Sequence, residues 1–378
     1  MTGARRARAA VAVVFAANGA MFGNWAVRIP DVKLDLDLSE ASLGAALLVP
    51  AAGALLSMPL TGALSSRFGS RTVTVTMTLL FVTVPSLLGL APSLPWLVPA
   101  LFVFGLTYGG LDVAMNAQAV TVERALGRPV MSSFHAAFSA GALIGSLTGG
   151  LAAAADVPLF LHLGVTGLVL LAVTGPLLPA MLREERADPH ERGPLFAWPA
   201  GRLLPLAVIA AVVLMAEGAV ADWSAVHLRQ ELAATPGTAG LAFTAFSLTM
   251  VVGRLLGDGL VASWGRVRAM RVSASIATAG GLVVVLAPSV PVAILGYAAL
   301  GIGLACTVPL VFVAAAGDDP EPGPALAAVS TPGYVGFLLG PPVIGALAEL
   351  VGLGTALALL PVLLTGVAML AGRTAPSR

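Results

Sequence analysis

The chain has 378 residues, 58% hydrophobic and 10% charged, with a formal net charge of +1 and a mean hydropathy of +0.95. Soluble domains carry about 25% charged residues, so this composition excludes a water-soluble fold, and the near-neutral charge gives no basis for nucleic-acid binding. A single cysteine, Cys306, excludes an internal disulfide and a thiolate cluster, and neither a metal nor another cofactor is expected.

Apolar runs long enough to span a bilayer, about 20 residues each, occur twelve times: near 8–27, 41–64, 73–91, 96–119, 132–154, 158–181, 203–226, 238–260, 272–290, 292–315, 326–348 and 354–372. The first follows Arg5, Arg6 and Arg8 as a signal peptide would, but it exceeds the usual signal core of about 7–15 residues and is read as helix 1. Between the sixth and seventh runs, 183–202 is charged and contains Pro189, Pro194 and Pro199. The expected organisation is therefore a six-helix bundle over 1–182, a cytoplasmic linker over 183–202 and a second six-helix bundle over 203–378. With both termini cytoplasmic, sixteen of the 20 Lys and Arg residues fall on the cytoplasmic side, against Arg28, Lys33 and Arg229 outside and Arg254 within helix 8, a strong positive-inside bias.

The two halves repeat each other. Asn18-Gly19-Ala20 in helix 1 returns as Glu217-Gly218-Ala219 in helix 7, 199 residues on; Asn24-Trp25 returns as Asp222-Trp223, 198 on. Gly141, Gly145 and Gly150 return as Gly336, Gly340 and Gly345, 195 on, and Phe68-Gly69 returns as Trp264-Gly265, 196 on. A duplication of apolar helices is the signature of a transporter built from two homologous halves.

The loop Gly62-Ala63-Leu64-Ser65-Ser66-Arg67-Phe68-Gly69-Ser70-Arg71 resembles the signature between helices 2 and 3 of the major facilitator superfamily, with Ser66 at the usual aspartate. Gly110-Leu111-Asp112 through Gln118, Ser132-Ser133-Phe134-His135, Asp222-Trp223-Ser224 and Gly340-Pro341-Pro342 are similar to the bacterial branch of fucose permease and rhizopine-transport proteins. The resemblance covers essentially the whole chain. It implies an all-α membrane protein of twelve transmembrane helices in two homologous six-helix bundles, with helices 1, 4, 7 and 10 around a central pathway.

Within that frame the chemistry-bearing residues are few. A carboxylate at membrane depth costs about 2.5–3.5 kcal/mol on insertion scales, so it faces a polar environment and usually has a task. Asp112 is placed about 6 Å past the midplane of helix 4, and Tyr108, Asp112 and Asn116 share one helical stripe. Glu217 is near the middle of helix 7. Asp112 and Glu217 are expected to carry protons, because an acid in apolar surroundings ionises less readily. Asn18, Tyr108 and Asn116 are expected to touch solute. Trp25 and Trp223 read either as headgroup anchors or, with Asn24 and Asp222, as a substrate-binding outer mouth, where Arg28 and Asp222 would form a gate pair. Arg254 and Asp258, four residues apart near the end of helix 8, join Arg67, Arg71 and Glu123 as gating residues, with permanent helix-end electrostatics as the plainer reading. His135 beside Ser132, Ser133 and Ser139 lacks an orienting acid and an oxyanion hole, so it reads as a gate or substrate contact and not as part of an enzyme. No Walker lysine is present.

Gly141 to Gly150 is similar to the glycine motif of drug antiporters, with Ser146 at its proline, while glycines every four residues also serve close helix packing. The expectation is a secondary transporter in the bacterial inner membrane, a monomer in the bilayer, moving a sugar, polyol or inositol-like solute by proton-coupled alternating access. The alternatives are a proton antiporter exporting a drug or metabolite, and a receptor or scaffold without flux.

Overall fold

The computed structural model describes residues 2–127, 130–183, 199–317 and 323–375; most of the expected linker, 184–198, lies outside them. The chain divides into two compact units, Met1–Asp37 with Ala46–Glu191, and Leu38–Ala45 with Arg192–Arg378.

The helices in chain order are α1 (Thr2–Ala26), α2 (Ile29–Asp35), α3 (Glu40–Phe68), α4 (Ser70–Thr83), α5 (Leu94–Leu126), α6 (Met131–Ala154) and α7 (Leu159–Thr174). There follow α8 (Leu203–Gln230), α9 (Pro236–Ala239), α10 (Leu241–Trp264), α11 (Arg266–Val285), α12 (Val290–Leu304), α13 (Thr307–Ala316), α14 (Gly323–Val351), α15 (Leu353–Ala356) and α16 (Leu359–Leu370). Among the described residues, eleven segments are long and apolar enough to cross a membrane, and α7 is a shorter apolar helix between the fifth and sixth of them. Together they account for the twelve apolar runs.

Three departures from the apolar-run reading have local causes in proline. The sixth run extends to 181 in the sequence reading, but α7 ends at Thr174, where Gly175-Pro176 follows; proline lacks the N–H that would continue the ladder. The third run continues from α4 into a 3₁₀ segment, Val84–Leu90, at Pro85. The tenth run, expected to be one helix over 292–315, is broken at Ala305-Cys306 into α12 and α13. Pro309 lies four residues after Ala305 and cannot bond its carbonyl, so the ladder is interrupted where the chain breaks.

Glycine sets the helix spacing in both units. In the first, a Cβ on Gly141 would fall on the Ala16 carbonyl oxygen, and one on Gly145 on that of Ala20, so α6 lies backbone to backbone on α1. In the second, a Cβ on Gly336 would fall on the Ala211 carbonyl oxygen, bringing α14 onto α8. Gly141 and Gly336 thus make the same kind of backbone contact in the two units. Small residues of this kind let membrane helices gain dispersion contact where no hydrophobic driving force exists between them. Gly141 and Gly145 of the antiporter-like stretch therefore have an explanation in packing.

The two repeated loops also fold alike. Gly69 (φ +83) follows α3 and Gly265 (φ +75) follows α10, a backbone region that favours glycine. Beside each turn an arginine covers the preceding aromatic ring: Arg67 lies 5.2 Å from the centroid of Phe68, and Arg268 lies 5.7 Å from that of Trp264.

Candidate transport site

In the first unit the α5 stripe forms as the sequence predicts. The Asn116 side-chain amide donates to the Asp112 carbonyl at 2.8 Å and to its carboxylate Oδ1 at 3.3 Å. One turn earlier Tyr108 stacks with Phe22 at 5.7 Å between centroids and lies among Phe81 and Phe104. A phenol, an acid and an amide thus share one partly buried face. Asn18 is fully buried on α1; its Nδ2 approaches Met115 Sδ at 3.5 Å, and its Oδ1 accepts no hydrogen bond.

Asn24 and Trp25 differ from the expected outer mouth. Trp25 is 3% exposed and packs its ring on Phe104 at 6.0 Å. Asn24 is 1% exposed and is the hub of a polar network. Its Nδ2 donates to the Ala20 carbonyl at 2.8 Å. Its Oδ1 accepts from Thr148 Oγ1 at 3.1 Å and from His162 Nε2 at 2.7 Å. The other imidazole nitrogen, Nδ1, lies 3.0 Å from Arg28 Nη1. Arginine only donates, so Nδ1 accepts and the His162 proton sits on Nε2. Arg28 is also bound to Asp31 and to the Val157 carbonyl, the latter at 2.8 Å. Arg28 is thus engaged within its own unit. The sequence reading missed His162 altogether.

The four expected gating residues of this unit occupy four different environments. Arg67 is exposed beside Phe68, and Arg71 donates to the Pro179 carbonyl at 2.9 Å. Glu123 Oε2 accepts the backbone N–H groups of Val130 and Met131 at 2.7 and 2.9 Å, capping the start of α6. His135 is exposed and meets Phe15 edge-on at 5.4 Å; the Ser132 side chain is outside the described set, and Ser139 donates to the His135 carbonyl.

In the second unit Glu217 is the fifteenth of the 28 residues of α8, in the middle of the helix as expected. Arg254 corrects the sequence reading: the fourteenth of the 24 residues of α10, it lies mid-helix and not at a helix end. Its Nη2 is 4.0 Å from Glu217 Oε2, while Glu217 Oε1 is buried with no hydrogen-bond partner. The structure thus joins two residues that the sequence reading kept apart. The side chain of Asp258, the predicted ion-pair partner of Arg254, lies outside the described residues. Trp223 is fully buried, its indole N–H without a partner, so it is neither a surface anchor nor an open stacking platform in this structure. Asp222, beside it, is partly buried and makes no hydrogen bond or ion pair with a described residue. His227 Nδ1 lies 3.1 Å from the Tyr297 hydroxyl, both side chains buried.

Comparison with known proteins agrees with this architecture. The family model of the Major Facilitator Superfamily matches residues 10–225 and again 206–377. A transporter of Sinorhizobium fredii, y4wD, is 37% identical over 341 residues, covering 90% of both chains. Membrane protein MosC of Rhizobium meliloti is 34% identical over 349 residues, covering 92% of this chain and 85% of MosC. The solved structure of nucleoside transporter NupG superposes with a TM-score of 0.75 over 99% of both chains, at 11% identity, a likeness of fold. Two matching halves, membrane-spanning helices throughout and full-length relatives lead to one assignment: this multi-pass membrane protein belongs to the Major Facilitator Superfamily, whose members are transporters and not enzymes.

Proposed function

We propose that the chain is a proton-coupled secondary transporter of a small polar solute, a sugar, polyol or inositol-like compound, working by alternating access in the bacterial inner membrane with both termini cytoplasmic. The observation that carries this reading is the α5 stripe. Asp112 and Asn116 present a hydrogen-bonded acid and amide one turn from the Tyr108 ring, a surface suited to hydroxyl groups. Glu217, mid-helix beside Arg254, supplies a second membrane-level acid, and such acids commonly serve proton relays. The motif resemblance to the fucose-permease branch supports the solute class, and the arginine distribution supports the orientation. The glycines that resemble a drug-antiporter motif carry no separate weight for export, because Gly141 and Gly145 also seat α6 on α1.

The test is proton uptake by proteoliposomes on addition of each of a panel of sugars, polyols, inositols and amines, for wild type, Asp112→Asn and Glu217→Gln. The expected result is a proton signal with a hydroxyl-rich solute that falls at least tenfold in one or both variants, with solute binding retained. Solute flux without proton movement in the wild type contradicts the reading.

A further inference from the structure

The duplication provides an internal control for Asp222. Its repeat counterpart, Asn24, is a structural hub whose carboxamide is satisfied by Thr148, His162 and the Ala20 carbonyl. The second unit keeps a polar residue at this position and removes the partners. Gly19 against Phe138 and Gly218 against Phe337 are one helix contact repeated 199 residues on, and at that offset the residue corresponding to Thr148 is Leu347. The helix α16 contains no histidine, and its only polar side chain, Thr365, bonds the Pro361 carbonyl. An acid placed where the polar framework has been stripped away does not serve as structural glue.

Among the described residues of its own unit, none gives Asp222 a bonded counter-charge. It is the twentieth of 28 residues in α8, about 8 Å along the axis from the middle of that helix. One turn earlier Gly218 faces the Phe337 ring of α14, which a Cβ would meet at 3.1 Å. The ionisable groups on the elements packed against α8 are Arg254 and Asp258 on α10, Tyr297 on α12, Tyr334 and Glu349 on α14, and Arg373 beyond α16; α9 and α13 contribute none. On α8 itself are Glu217, His227 and Arg229. None of the described side chains bonds Asp222: Arg254 is directed to Glu217, and Tyr297 to His227. By contrast, Asp112 has the Asn116 amide and Glu217 has a guanidinium to support a negative charge. An isolated carboxylate at membrane depth is held as the neutral acid or bound to a cation.

We propose that Asp222 is a proton-binding carboxylate of the transport cycle, the site in the second unit that takes up and releases a proton alongside Asp112 and Glu217. The inference rests on the proton-coupled reading and adds to it a residue whose expected place was a substrate-lined mouth.

The direct test needs no solute. Dicyclohexylcarbodiimide reacts with a protonated carboxylic acid in apolar surroundings: the acid O–H adds across one C=N bond, and the adduct rearranges to a stable N-acylurea without loss of atoms. Mapped by peptide mass spectrometry on the reconstituted full chain, label is expected on Asp222, falling at least tenfold as pH rises and the acid ionises, and absent from Asp222→Asn. Label on Asp112 or Glu217 with none on Asp222, labelling independent of pH, or no labelled acid would each overturn the assignment. A second measurement follows transport with myo-inositol and fucose as probes. Asp222→Asn is expected to keep solute exchange and lose proton-driven accumulation at least tenfold, with Asp222→Glu restoring it. Wild-type proton stoichiometry in Asp222→Asn defeats this inference alone, whereas proton-free flux in the wild type defeats the reading on which it rests.

Discussion

Gly141→Leu and Gly145→Leu are each expected to abolish the seating of α6 on α1, with loss of most folded protein from the membrane. Any Cβ at these positions collides with backbone, the carbonyl oxygens of Ala16 and Ala20, and backbone cannot rotate away as a side chain can. Overpacking a well-filled interior costs about 1–3 kcal/mol and occasionally more, and a collision with main chain belongs at the upper end. Gly336→Leu, the same change in the second unit against Ala211, is expected to do likewise. Gly62→Leu and Gly366→Leu are the controls, because an added Cβ at either meets nothing within 4 Å. Detergent-solubilised yield and melting temperature, read by size-exclusion chromatography, separate the two groups. If Gly141→Leu elutes and melts as wild type does, the packing account is wrong.

The second large effect is expected at Arg28. Arg28→Met removes the cation from an interior where its three guanidinium nitrogens bind Asp31, His162 and the Val157 carbonyl. Removing one partner of a buried ion pair costs about 3–5 kcal/mol, because the other is left without compensation. The side chain of Asp31 is 17% exposed, so solvent offsets part of this, and the lower end of the range is expected. Arg28→Lys keeps the charge but cannot reach three acceptors with one ammonium, and should recover only part of the loss. Asn24→Ala, tested beside His162→Ala and the double variant, is expected to be strongly non-additive, since each single change already breaks the bond between them. Additive losses in melting temperature would mean that the network is not a unit.

The twelve spans were legible because lipid enforces long apolar runs, and the duplication was legible because glycines and Asn/Asp-Trp pairs survive as fixed offsets. Positions within helices were harder to read. The α10 helix runs on to Trp264, past Asp258 and Ser263, polar residues that end an apolar run without ending a helix; Arg254 therefore moved from helix end to helix middle. The break at Ala305-Cys306 is hidden because its cause, Pro309, sits in an otherwise unbroken apolar stretch. The partners of Asn24 lie 124 and 138 residues away, so no local pattern connects them, and a tryptophan beside a polar residue reads as an interfacial anchor until its burial is known. The α5 stripe, by contrast, needed only the helical period to bring Asn116 to Asp112.

Proton-coupled movement of a polar solute is tested most directly by imposing an inward proton gradient on proteoliposomes and following radiolabelled solute chosen from the panel above. Accumulation above the external concentration, collapsing when a protonophore dissipates the gradient and absent in Asp112→Asn or Glu217→Gln, is the predicted result. Equilibration to the external concentration and no further, unaffected by the gradient in wild type, would contradict it.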